Sequence, residues 1–354
     1  MNIMQFFFNT EISGKRDETI DIVRGLAVCV MLAANMAPSF ARQTPYLLRV
    51  IFSSAAPIFV TFAGAMITRS VITNNMHGII YFLQRGMFFL FCGALLDITA
   101  NAIPFITVDV LSFIGVSMPV LYLIAHCRTR VIIMMTGAIF ILTFVFQQVM
   151  GYSPQIIYAH IGENVFVSPV EIMKHWMVDG WFPLFPWLGY GACGVLLARL
   201  RWQSAAGFKT FNRKAVLLPA ISLFIAGLAM MSMFPGPQNI RSGYQEIFYP
   251  NRPGFLTWSL SLIFCLVGLV DATRSFKMWK LFRPLGEAPF FVYIGHLLMI
   301  GVVIEDYFPS MDACTYFMNF TGLFIVFFIS TAWLRKVRKS YKNMPTVLRW
   351  VIGG

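Results

Sequence analysis

The sequence predicts an all-α, polytopic transmembrane bundle of about ten helices with both termini cytoplasmic, and three observations predict it. Apolar stretches close to twenty residues long recur from Ile20 to Gly354, the length that crosses a hydrocarbon core about 30 Å thick. The chain is 58% hydrophobic and only 12% charged, too little polar surface for a water-soluble fold of this size. Nearly every Lys and Arg falls in alternate gaps between the apolar stretches, as the positive-inside rule requires.

Taken in order, the expected spans are 20–40, 47–68, 79–97, 107–125, 131–150, 182–200, 215–233, 255–272, 286–304 and 314–334. The first begins just after Lys15 and Arg16 and is its own start-transfer signal, since the first fifteen residues hold the short run Phe6–Phe8 but no small-residue cleavage site. With the N-terminus inside, the inner set includes Arg24, Arg69, Arg85, Arg128, Arg130, Arg199, Arg201, Arg274, Arg283 and the basic tail from Arg335. Only Arg42, Arg49, Lys174, Arg241 and Arg252 are left outside, where the acids Asp97, Asp109, Glu163, Glu171, Asp179, Glu246, Glu305, Asp306 and Asp312 gather. Topology and anionic lipid therefore account for the net charge of +12, and no nucleic-acid partner is implied. The chain divides into a cytoplasmic segment 1–19, one transmembrane domain 20–334 and a basic cytoplasmic tail 335–354, and a bacterial-type cell would hold it in the inner membrane as a multi-pass protein. Its six cysteines show no C-x-x-C pair and read as small packing residues, with no metal site expected.

Two outer segments are too long for simple turns. One, 151–181, carries His160, Glu163, Glu171, His175 and Asp179; the other, 234–254, carries Arg241, Tyr244, Glu246, Tyr249 and Arg252. Polar loops of this length on a helical scaffold are where substrate contacts concentrate. Inside the spans, ionisable groups are costly and so face the bundle interior or a wet cavity. Asp21, Arg24 and Asn35 in the first span form one polar stripe, because about 100° per residue brings Arg24 and Asn35 to within about 20° of each other. The i, i+3 spacing of Asp21 and Arg24 also lets the carboxylate hold the guanidinium, as a helix-end pair.

Other signals point to packing. Gly189-Tyr190-Gly191-Ala192-Cys193-Gly194 spells a G-x-G-x-x-G run, but it lies inside an apolar span without a βαβ unit, so its small residues serve close helix approach. Pro183 and Pro186 suit the first turn of the sixth helix, and Trp181 and Trp187 suit an interfacial aromatic belt. No nucleophile elbow, H-E-x-x-H or Walker loop occurs.

The segment Ile20-Asp21-Ile22-Val23-Arg24-Gly25-Leu26-Ala27, running into Met31 and Asn35, resembles the first-helix signature of the integral-membrane acyltransferase superfamily, which includes the acyltransferase 3 family and the heparan-α-glucosaminide N-acetyltransferase-like proteins. Ala56-Pro57-Ile58-Phe59 with Phe62-Ala63-Gly64 looks like the second-helix motif of the same group. Phe182-Pro183-Leu184-Phe185-Pro186-Trp187-Leu188-Gly189 is similar to the mid-chain Pro-Trp motif of the glucosaminide branch, and Phe291-Val292-Tyr293-Ile294-Gly295-His296 resembles the penultimate-helix Tyr-x-x-His pattern.

The resemblance implies a bundle that takes an acyl group from a cytoplasmic donor, often acyl-CoA used as a co-substrate, and places it on a hydroxyl or amine of an outward-facing glycan or glycolipid. On that reading Arg24, Arg85, Arg128, Arg130 and Arg283 form an inner cationic mouth for the donor's phosphates, while each alone reads as a positive-inside anchor. The acyltransferase 3 branch carries His where this chain has Asn35, and the glucosaminide branch carries a His slightly further on, where 38–46 contain none. The base is therefore not transferable by alignment. Acyl transfer needs a proton acceptor and donors for the oxyanion. Asn35 is the candidate for the carbonyl or oxyanion, and either His175, with Asp179 at i, i+4 as its orienter if that stretch is helical, or His296, three residues after Tyr293, is the candidate acceptor. A small-molecule transporter is the alternative, since ten helices with buried polar residues describe many carriers.

Overall fold

The computed structural model describes residues 9–12, 17–40, 44–73, 78–101, 103–153, 167–202, 207–234, 246–340 and 345–352. His77, His160, Glu163, Arg241 and Tyr244 lie outside the described residues. In chain order the elements are strand β1 (Asn9–Ile12), helices α1 (Glu18–Met36), α2 (Tyr46–Phe52), α3 (Ala55–Ile72), α4 (Ile79–Asn101), α5 (Val110–His126), α6 (Thr129–Val149), α7 (Pro169–Lys174), α8 (Leu184–Arg201), strand β2 (Gly207–Thr210), and helices α9 (Lys214–Met233), α10 (Pro253–Ala272), α11 (Trp279–Glu287), α12 (Pro289–Met299), α13 (Glu305–Tyr307), α14 (Ala313–Ser340) and α15 (Thr346–Ile352).

Among the described residues, nine helical segments are long and apolar enough to cross a membrane, and the shorter apolar helix α5 of 17 residues stands beside them. The chain is an all-α polytopic membrane protein. Side-chain exposure fits lipid as the solvent. On α4, Ile80, Leu83, Met87, Phe91, Leu95 and Ile98 are all exposed, at three- and four-residue steps that define one stripe. In water this stripe would be the buried one; here it faces hydrocarbon.

The expected span boundaries hold to a few residues, but three spans are interrupted: the second divides between α2 and α3 at Ser53 and Ser54, and the other two breaks share one cause. The ninth span does not run unbroken from 286. Its helix ends at Glu287, Ala288 leaves helical geometry (φ −134°, ψ 53°), and α12 restarts with Pro289 in its first turn. The sixth is likewise interrupted at Phe185 (φ −104°, ψ 116°) before Pro186, so Pro186 starts a second helical stretch rather than sitting in the first turn of one helix. A residue preceding proline is sterically driven out of the α region, and each Pro then suits the first helical position beyond the break.

The chain forms two compact units, with the division falling inside α3. In the first unit α1 packs against α2, α10, α11, α12 and α14, and α9 pairs with α10. Its core gathers Val28, Met31, Leu32 and Met36 of α1 with Phe52, Leu285, Val292, Ile300, Tyr316, Leu323 and Phe327. At the crossing of α1 and α11, a β-carbon on Gly25 would overlap the carbonyl of Phe282, and one on Gly286 would overlap that of Asp21. The two backbones touch, and only hydrogen at both positions permits it. Charge is neutralised at the same end. Glu287 accepts from Arg283 at 3.0 Å and Arg338 at 2.8 Å, and Arg283 also pairs with Glu18. Asp271 accepts from the Thr19 hydroxyl at 2.7 Å, the Phe211 amide at 2.8 Å and Arg274 at 2.8 Å.

In the second unit α4 pairs with α5, and α8 packs against α5 and α6; β1 and β2 form a small two-stranded sheet. A β-carbon on Gly194 of α8 would overlap Thr61 of α3, and one on Gly64 would overlap the carbonyl of Gly191. The G-x-G-x-x-G run is thus a helix-contact surface, as its apolar setting predicts.

Candidate functional site

In the second unit the outer segment 151–181 is helical where it matters. Ser168 caps α7 by accepting the Glu171 amide at 3.2 Å, with Pro169 in the first turn. The helix then widens into a single π-helical turn, His175–Asp179, closed by the Gly180 amide donating to the His175 carbonyl at 2.9 Å. Such turns aim side chains that a regular helix would not. Here the i, i+4 pair meets: the His175 Nδ1–H donates to Asp179 Oδ1 at 2.7 Å, and both side chains are fully buried.

The carboxylate is itself fixed. Asp179 Oδ2 accepts the Ser153 amide at 3.2 Å and lies 3.2 Å from Lys174 Nζ, which also donates to the Ser153 hydroxyl at 3.0 Å. With Nδ1 committed to the carboxylate as donor, Nε2 is the ring's proton-accepting atom, and it has no hydrogen-bond partner among the described residues. This is the arrangement of a base held by an orienter.

The loop after α4 braces the turn. Thr107 and Val108 accept the amides of Trp181 and Phe182 at 2.8 and 2.9 Å, and the Thr107 hydroxyl donates to buried Asp97. Phe105 (φ 63°) and Val108 (φ 53°) take left-handed backbone angles that aromatic and β-branched residues adopt only where the surroundings compel them. Behind the turn the Pro-Trp motif builds an aromatic wall, with Phe182 against Trp187 at 5.0 Å and Trp187 against Tyr190 at 5.3 Å. Trp181 and Trp187 are buried, which corrects the expectation of an interfacial belt: they pack the motif's interior.

In the first unit α1 carries the polar stripe. Arg24 stands 3.8 Å from Asp21, the pair that their spacing predicts. Asn35 donates from Nδ2 to the Met31 carbonyl at 3.0 Å, leaving its second amide hydrogen and its oxygen for other partners. His296 lies on α12 between Val292 and Ile300, at four-residue steps on one face, and both neighbours enter the core shared with Met31 and Ala34 of α1. Its Nδ1 donates to the Val292 carbonyl at 3.1 Å, Tyr293 meets it edge-on at 5.4 Å, and its buried Nε2 has no partner among the described residues. Unlike His175, it is oriented by a neutral carbonyl and not by a carboxylate.

A model of the heparan-alpha-glucosaminide N-acetyltransferase catalytic family matches residues 16–234, well over half of the chain. The chain belongs to this family. No curated protein matches it. The match contains Arg24, Asn35, Arg85, Arg128, Arg130, His175 and Asp179, and ends before Arg283 and His296.

The arginines of this membrane acetyltransferase do different things. Arg283 is held between Glu18 and Glu287, so it is first of all a structural cation. Arg85 lies over Phe89 at 5.8 Å, whereas Arg128 and Arg130 are exposed beside the start of α6. Arg199 caps α5, donating to the Ala125 and Cys127 carbonyls at 2.8 and 2.6 Å, where a helix end leaves carbonyls unpaired.

One buried acid was marked by the sequence only as a member of the polar outer segment 234–254. Glu246, in the outer segment before α10, is buried beside Arg49 and Ser53, whose hydroxyl accepts the Ile247 amide at 2.8 Å. Burial pushes its carboxyl up to about 7, opposed by its own backbone amide and by the Arg49 guanidinium. Its polar neighbours lie far apart in sequence, so no local pattern announces it. The raised value makes the folded state hold a proton that the unfolded chain releases above its ordinary 4.5, so stability falls as pH rises through that window. Glu246→Gln cannot ionise and is expected to flatten the fall. Thermal unfolding of both proteins at pH 5 and pH 8 would check it, and parallel pH profiles would contradict the burial argument.

Proposed function

We propose that this acetyltransferase moves an acyl group, most simply acetyl, from acyl-CoA on the cytoplasmic side to a hydroxyl or amine of an outward-facing glycan or glycolipid, with both termini cytoplasmic and the inner membrane of a bacterial-type cell as its site. The observation that carries the reading is the His175–Asp179 pair, buried, locked through Nδ1 and offering Nε2, inside the segment that matches the family. His175 Nε2 takes the proton from the acceptor's O–H or N–H as the acceptor attacks the thioester carbonyl. Asp179 balances the imidazolium that results. Collapse of the tetrahedral intermediate breaks the C–S bond, and the same proton passes from Nε2 to the departing thiolate. His296, with its carbonyl-oriented ring, serves as a buried structural histidine. The basic set Arg24, Arg85, Arg128 and Arg130 supports a donor side that attracts the polyanionic co-substrate.

The test is transfer of label from acetyl-CoA to glucosamine by the full chain in membranes. A carrier would leave the thioester intact, and no thioester turnover with any amine or sugar acceptor would overturn the reading. In the same assay Arg24→Ala should raise KM for acetyl-CoA about tenfold, the scale of one charge-assisted contact, with KM for the acceptor unchanged. Equal effects on the two KM values would remove Arg24 from the donor side.

A further inference from the structure

Asp97 is a buried acid that the proton transfer assigned above does not use. It sits near the end of α4, and an ionisable side chain inside a membrane span is costly enough to need a reason for its presence. Its carboxylate accepts from the Thr107 hydroxyl, and the backbone amides of Phe105 and Thr107 approach the same group. One side chain thus gathers the loop 103–109 that follows its own helix. That loop contains Phe105 and Val108 in left-handed backbone angles, which such residues abandon unless their surroundings hold them there.

The same loop meets the π-helical turn of His175 at several points, all within the second unit. Thr107 and Val108 accept the amides of Trp181 and Phe182, the two residues just beyond Gly180, at 2.8 and 2.9 Å. Phe105 lies beside Trp176, the neighbour of His175, with ring centroids 6.2 Å apart. A β-carbon on Gly180 would stand 2.6 Å from the His175 carbonyl oxygen and 2.9 Å from the Val108 β-carbon, so loop and turn touch with no space to spare. A π-helical turn accommodates one residue more than an α-turn. Rewinding it would move the chain beyond it by a residue and break both bonds at Trp181 and Phe182. The loop therefore locks the register of the turn.

We propose that Thr107, tied to Asp97, is a positioning residue for acyl transfer: the pair keeps loop 103–109 in the shape that locks the widened turn, and so keeps His175 Nε2 directed at the proton it removes. The proposal deepens the reading above and rests on His175 as the proton acceptor. Neither Thr107 nor Asp97 touches substrate; both act through the backbone of 175–182.

The experiment measures transfer from acetyl-CoA to glucosamine by the full chain in membranes, together with amide hydrogen exchange across 175–182 in nanodiscs. Thr107→Val keeps the shape of the side chain and loses the hydroxyl. It should lower kcat about tenfold to a hundredfold, the effect of a small misplacement of a reacting group, with KM for both substrates unchanged. Exchange at Trp181 and Phe182 should quicken about tenfold, as local opening becomes easier. Thr107→Ser retains the hydroxyl and should restore most of both losses. Asp97→Ala removes the acceptor and should match Thr107→Val; should it fail to fold, the two Thr107 variants decide the matter. Unfolding midpoints of the Thr107 variants should stay close to wild type. Combined with His175→Ala, Thr107→Val should cause no further loss, because nothing is then left to position.

A fall in Thr107→Ser as deep as in Thr107→Val, or a further loss in the double variant, would overturn the positioning role. Wild-type kcat in Thr107→Val beside an inactive His175→Ala would remove this inference alone and leave the base in place. Normal turnover by His175→Ala would remove the base itself, and the positioning role with it, whatever the loop variants do.

Discussion

His175→Ala is expected to lower acetyl transfer by about 10²–10⁴-fold, the usual worth of a positioned general base, with the folded protein still present in the membrane. Its imidazole is buried with one nitrogen committed to Asp179 and the other unpartnered among the described residues. Asp179→Asn should cost less, because an amide oxygen can still accept from Nδ1 while the balancing negative charge is lost. The diagnostic is the pH profile: the acidic limb of kcat/KM in wild type should shift in Asp179→Asn, which a merely structural role would not produce. His296→Ala serves as comparison. If His175→Ala turned over normally while His296→Ala did not, the proton acceptor would be the histidine of α12, and the role given to the π-helical turn would be wrong.

Gly25→Val should remove the folded protein almost entirely. The new side chain would be driven into the Phe282 carbonyl, and neither backbone can retreat because Gly286 makes the reciprocal contact with Asp21. Overpacking of a rigid contact costs about 3 kcal/mol or more, a large part of a membrane domain's margin. Fluorescence-detected size exclusion of the expressed protein would measure the loss. Gly137→Ala is the control: it lies inside α6 with nothing within 4 Å of its added carbon, so it should be neutral or slightly stabilising. A well-folded Gly25→Val protein would mean that α1 and α11 are not pressed together. The prediction also divides the first-helix signature by role, since Asp21 and Arg24 form an ion pair while Gly25 is present for its missing side chain.

The helical membrane class and the order and approximate ends of the apolar segments were legible because hydropathy over some twenty residues is a local property, and lipid rewards it wherever the segment lies. The glycines of 189–194 were legible as contact residues on the same ground, that an apolar helix has no use for a phosphate loop. The interruptions at Phe185 and Ala288 were encoded by the prolines that follow them, but the spans were drawn by hydropathy, which does not register a backbone break between apolar residues. Trp187 was misplaced for a related reason: composition puts tryptophan at membrane interfaces, and only packing shows one sealed behind Phe182 and Tyr190.

The candidate site divides along the same line. The spacing of His175 and Asp179 was visible from the outset, yet its meaning depended on whether that stretch coils, and the widened turn that makes it useful is held by the Thr107 and Val108 carbonyls some seventy residues earlier. Of the Glu246 cluster the sequence showed only that the acid lies in a long polar outer segment, since Arg49 and Ser53 reach it across almost two hundred residues. Membrane class, helical architecture and the family signature therefore belong to the chain alone, because they follow from residue type and short-range spacing. Which nitrogen of a histidine carries its proton, and which acid is buried beside which base, belong to the tertiary structure, because partners distant in sequence set both.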